Sequence, residues 1–125
     1  MISPDDVSKF KFMEATEVGT RFIDFDTAFD CNNVCILSPK NTTNEQWTKI
    51  IDRLIEQDGK LYDDLFDLSD QTKLSCVELV RAALQAVDSY EKNFVDLERL
   101  IDYYGNLTPQ MFRECSDFEV IWETN

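Results

Sequence analysis

Four consecutive residues, Ser75-Cys76-Val77-Glu78, carry the clearest chemistry in this chain. A Ser followed three residues later by Glu, ahead of an apolar helical pattern, is a capping box. The Ser75 hydroxyl is expected to accept from the Glu78 amide while the Glu78 carboxylate accepts from the Ser75 amide. Cys76 then falls at the first helical position, where the positive end of the helix dipole and the first-turn amides favour thiolate over thiol. A thiolate so placed attacks carbonyl carbon, so the implied chemistry is nucleophilic acyl transfer. The same position also suits a small apolar side chain that starts a helix, and both readings stand at this point. Cys35, inside an apolar run, and Cys31 and Cys115, in connecting segments, read as packing or bystander thiols.

The 125 residues include no histidine. Catalytic schemes that need an imidazole base therefore cannot be completed from these residues alone. Four unevenly spaced cysteines with no Cys-x-x-Cys pair point to reduced thiols rather than a disulfide framework, and they form a poor zinc set without histidine. No metal or cofactor is expected. Asp63, Asp64, Asp67 and Asp70 lack the loop glycine and distal Glu of a calcium-binding EF-hand and read as a solvated acidic turn.

Against 12 Lys and Arg stand 25 Asp and Glu, a net charge of -13. With no basic cluster to neutralise phosphates, nucleic acid is not expected as a direct ligand. The same charge suits a different class, an acidic decoy that occupies a basic groove on another protein. No apolar run approaches the ~18 residues of a membrane helix. The first residues also lack the basic-then-apolar order of a secretion signal, so a cytoplasmic location is expected.

The elements that must hold Cys76 follow from periodicity. A composition that is 43% apolar and 12% aromatic supports one core in a single domain over residues 1–125. Residues 10–15, 20–25 and 33–37 read as three short antiparallel strands. Trp47, Ile50, Ile51, Leu54 and Ile55 fall on one helical face, with Thr42 and Thr43 as cap candidates and Gly59 as the stop. That helix is expected to pack on the sheet. A second helix should run from Ser75 through Val87, and a third through Phe94 and Tyr104 to Gly105. A short fourth should start at Thr108-Pro109. Residues 118–122 return to strand. The expected class is α+β, a small antiparallel sheet packed with three to four helices.

These segments together resemble a known family. Gly59-Lys60-Leu61-Tyr62-Asp63-Asp64-Leu65-Phe66, followed by Leu74-Ser75-Cys76-Val77-Glu78-Leu79-Val80, is similar to the paired motifs of the circularly permuted, NlpC-like papain-fold (YiiX-like) cysteine hydrolases. Phe12-Met13-Glu14-Ala15-Thr16 with Gly19-Thr20-Arg21 resembles that family's early strand pair. Leu107-Thr108-Pro109 leading to residues 118–122 resembles its closing turn and strand. The resemblance implies a papain-like fold acting on peptide or acyl bonds, with Cys76 as nucleophile and Glu14 as the polar residue that orients a catalytic histidine. It places Tyr62 and Asp63 near the cleft, where packing and turn-capping are their simpler roles. Glu14, taken alone, also reads as a solvated strand position.

The family's histidine precedes the position matched by Glu14. The resemblance therefore implies a domain truncated at its N-terminus and inactive as this chain. An open sheet edge left by such a truncation is expected to recruit a second copy into a symmetric dimer.

Overall fold

The computed structural model describes residues 12–28, 30, 32–70 and 72–124, with Phe25 described by its backbone only. Within them lie two two-stranded antiparallel sheets and six helices. The α+β class is therefore observed, but the single expected sheet is two separate ribbons.

The first ribbon pairs β1 (Phe12–Thr16) with β2 (Gly19–Ile23). The second pairs β3 (Cys35–Pro39) with β4 (Phe118–Glu123), with an irregularity between Ile36 and Leu37. The reason for the split lies in pairing distant in sequence. The third strand finds its partner at the far end of the chain, and Thr124 N donates to Val34 O at 2.9 Å beyond the ribbon. The beginning of the first expected strand, residues 10 and 11, lies outside the described residues.

The strand expected to reach residue 25 instead ends at Ile23. Asp24 there turns the chain into α1 (Phe25–Ala28), its Oδ1 accepting from Thr27 N at 2.8 Å. A short polar side chain that bonds the backbone ahead of it competes with strand extension, which is the physical reason for the stop.

α2 (Asn44–Glu56) begins at Thr43 in a capping box: Gln46 N donates to Thr43 Oγ1 at 3.2 Å and Thr43 N to Gln46 Oε1 at 2.9 Å. Its apolar face is divided. Ile50 is buried and Leu54 half-buried, whereas Trp47, Ile51 and Ile55 are exposed. The helix packs chiefly on α3 (Cys76–Leu84) rather than on a sheet. A short α4 (Tyr90–Asn93) precedes α5 (Val95–Tyr104), which Gly105 ends in the left-handed conformation, and α6 (Pro109–Glu114) follows with Pro109 as its first residue.

The main core joins these helices to the start of β4. Phe118 sits between Phe94 and Phe112, with ring centroids 5.6 and 5.4 Å away. Leu97 is fully enclosed in the same cluster. Burying side chains of this size contributes about 1.5–3 kcal/mol each. A smaller cluster of Ala15, Leu74 and Leu79 fastens β1 to α3, and Leu54 touches both clusters.

One glycine is required by this docking. Gly19 has φ of +96°, and a Cβ there would meet Lys60 O at 2.5 Å. The close approach lets Thr20 N donate to Lys60 O at 2.8 Å and Gly59 N to Thr20 O at 2.9 Å, which ties β2 to the end of α2.

Candidate functional site

Cys76 occupies the first residue of α3 and is exposed. The capping box beside it is closed in both directions: Glu78 N donates to Ser75 Oγ at 3.4 Å, and Ser75 N donates to Glu78 Oε2 at 3.3 Å. Ser75 itself is fully buried. The expected helix start and the position of Cys76 are thus both observed, and an exposed thiol is not a core-filling residue.

The segment before α3 is a loop closed at its neck. Leu74 N donates to Leu61 O at 2.9 Å, and Leu61 bridges Lys73. Inside the loop Asp63 Oδ1 accepts from Leu65 N at 3.1 Å, the turn-capping role anticipated for it. Phe66 adopts a φ of +53°, in the left-handed region, and its ring meets Tyr62 edge-on at 6.4 Å. Burial pushes the Tyr62 phenol above its usual range, and negative charge at Cys76, Asp64, Glu78 and Glu17 adds to the effect.

Two carboxyl groups meet behind this surface. Asp63 is 3% exposed and Glu78 5%. Burial raises the Glu78 carboxyl first, with the neighbouring Asp63 carboxyl adding to it, to about 7. Sequence reasoning assigned each of these residues a capping role and each does cap. That they also face one another follows from the loop closing on α3, and neither sequence position signals it.

Glu14 lies elsewhere. On β1 the alternate residues Met13 and Ala15 pack against the Leu74–Leu79 cluster, which places Glu14 on the opposite face. There it sits across the ribbon from Arg21, whose Nη2 and Nε approach Glu14 Oε1 at 2.9 and 3.0 Å. This is a partly exposed cross-strand ion pair. Neighbouring strand residues point to opposite faces, so Glu14 and Ala15 lie on different faces of β1.

Cys35 is exposed at the start of β3, whereas Cys115 is buried at the end of α6, where burial pushes its thiol up. Cys31 lies outside the described residues. Asp67 and Asp70 are spent on turns: Asp67 Oδ1 accepts from Ser69 N and Asp70 Oδ1 from Thr72 N, both at 3.0 Å. Hydrogen bonds from the Ser69 and Thr72 hydroxyls, together with these amide bonds, hold both carboxyls below the usual range.

No helix among the described residues is long and apolar enough to cross a membrane. Comparison of the chain with family models, curated proteins and solved structures finds no match.

Proposed function

We propose that this chain is a papain-like thiol domain in which Cys76 takes up an acyl group from a peptide or acyl substrate without efficient turnover. The observation that carries this reading is the exposed thiol on the first residue of a helix whose start is locked by a closed capping box. Cys76 Sγ would attack the carbonyl carbon and the leaving group would depart with a proton, leaving a thioester. First-turn amides, which lack intrahelical partners, would steady the developing oxyanion. Hydrolysis of that thioester needs a base to activate water, and with no histidine among the 125 residues an imidazole would have to come from outside them.

Glu14 has no part in this reading, since its carboxylate is held by Arg21 on the other face of β1. The resemblance to permuted NlpC-like hydrolases supports the assignment through the motifs at residues 59–66 and 74–80. The exposed row Val120, Ile121 and Trp122 on β4 supports association of two copies, which light scattering reads directly.

A chromogenic acetyl ester tests the function. One equivalent of alcohol released in a burst, one acetyl group on Cys76, and no burst in Cys76→Ala are expected. Steady turnover, or acetylation at Cys35 instead, would overturn it.

The net charge of -13 favours a second reading, an acidic decoy for a basic protein surface. Salt-sensitive capture on a basic protein together with an unreactive Cys76 would make it the better description.

A further inference from the structure

Two buried carboxyl groups beside the start of α3 each have one oxygen that their capping roles leave unused. Asp63 and Glu78 each satisfy one oxygen with a main-chain amide, of Leu65 and Ser75 respectively. Their other oxygens, Asp63 Oδ2 and Glu78 Oε1, are buried with no donor facing them. After burial, the Asp63 side chain does most to raise the Glu78 carboxyl, as a hydrogen-bonding neighbour. Ionised carboxylates only accept, so two of them cannot form that bond, whereas a single proton makes one a donor and satisfies the pair.

We propose that Asp63 and Glu78 share one proton, and that this acid pair clamps the loop from Leu61 to Leu74 onto the Ser75–Glu78 capping box and so positions the Cys76 thiol.

The surroundings favour holding the proton. Burial and the neighbouring Asp63 carboxyl raise the Glu78 carboxyl, and the hydrogen bonds from Ser75 oppose them only in part. Glu78 also lines a cavity of about 20 Å³ with Asp70 and Arg81. Arg81 does not neutralise the pair because its guanidinium is bound to Glu98. A second negative charge on side chains as buried as Asp63 and Glu78 would face the first with little water to screen it. Above the midpoint of the pair, repulsion loosens the loop from the helix start, and the cap that fixes Cys76 loosens with it. The positioning role rests on the reading of Cys76 as the working thiol, whereas proton sharing does not.

The decisive experiment uses the full chain labelled with ¹³C. Its carboxyl resonances are followed from about pH 5 to about pH 9, a range above ordinary carboxylate titration. The Glu78 carbon is expected to shift near pH 7, and a shared proton makes the Asp63 carbon move in the same step. Two carbons already at their ionised positions throughout would overturn proton sharing.

Cys76 alkylation by iodoacetamide over the same range tests the positioning. The wild-type rate should fall about threefold below a single-thiol curve above the midpoint of the pair. That departure should vanish in Glu78→Gln and in Asp63→Asn, whose amides donate as the shared proton did. Superimposable profiles in all three proteins would overturn the positioning role. If Glu78→Gln does not fold, Asp63→Asn alone decides. A Cys76 that stays unreactive in every protein overturns the acyl-uptake reading and the positioning role together, and the resonance titration still decides whether the proton is shared.

Discussion

Two carboxyl groups, a buried one on Glu78 and a half-buried one on Glu98, bear on the two ends of α3 and are stabilised in opposite ways. Toward its C-terminal end Arg81 of α3 reaches Glu98 of α5: Nε donates to Oε2 at 3.0 Å, Nη2 bonds Oε1, and the Tyr90 hydroxyl donates to Oε2 at 2.8 Å. The carboxylate raises the Arg81 guanidinium further, while burial and the same carboxylate push the Tyr90 phenol far up. Arg81 and Tyr90 therefore keep one charge state across the physiological range. At the N-terminal end Glu78 has Asp63 as its neighbour instead of a cation, and burial lifts its carboxyl to about 7. A cation satisfies an enclosed carboxylate at any ordinary pH, whereas a proton does so only below the midpoint of the pair. One helix thus carries a pH-blind tie at one end and a pH-dependent tie at the other, the latter beside the exposed thiol.

The largest effect expected from this difference is on stability against pH. Glu78 binds its proton more tightly in the folded chain, at about 7, than at the usual 4.5. Its contribution is fully present below the usual value and is lost as pH rises through about 7. The loss amounts to about 3 kcal/mol. Denaturant midpoints measured at either end of that window should show it, and Glu78→Gln should remove most of it. A wild-type and variant difference that stays constant with pH would contradict the contrast between the two ends.

Breaking the other tie is the next largest effect. Arg81→Met leaves the half-buried Glu98 with Tyr90 as a side-chain donor and should cost about 2 kcal/mol. It should also make stability depend more strongly on pH, as chemical denaturation at several pH values would reveal. A smaller loss, about 1 kcal/mol, is expected for Ser75→Ala, which opens the capping box on one side while leaving Asp63 and Glu78 in place. Its denaturation midpoint should fall with the pH dependence retained. The smallest effect calibrates the comparison. Glu14→Gln breaks the partly exposed pair with Arg21 and should change stability by less than about 0.5 kcal/mol, with Cys76 alkylation unaltered. A clear loss of thiol reactivity in that variant would restore Glu14 to the site.

The features legible in the sequence are those set by neighbours three or four positions apart. The start of α3 at Ser75, the start of α2 at Thr43 and the end of α5 at Gly105 are all observed where residue types place them. Such caps are closed by the backbone within one turn, so distant residues have little influence on them. The division of the apolar face of α2 was not legible, because a single apolar stripe does not reveal how much of it a partner will cover. Ile51 and Ile55 match Ile50 and Leu54 in type yet remain exposed.

What the sequence by itself determined, then, is the capped helix start that presents Cys76, the absence of histidine to serve it, and the α+β alternation of elements. Only the tertiary structure decided the partners. It joined β3 to β4 across most of the chain, and it turned Glu14 toward Arg21 by the register of β1 on β2. It also closed the loop after Leu61 so that Asp63 meets Glu78. Each of these depends on which long-range closure is repaid by burial elsewhere, and a strand register shifted by one residue would have exchanged Glu14 for Ala15 on the face against α3.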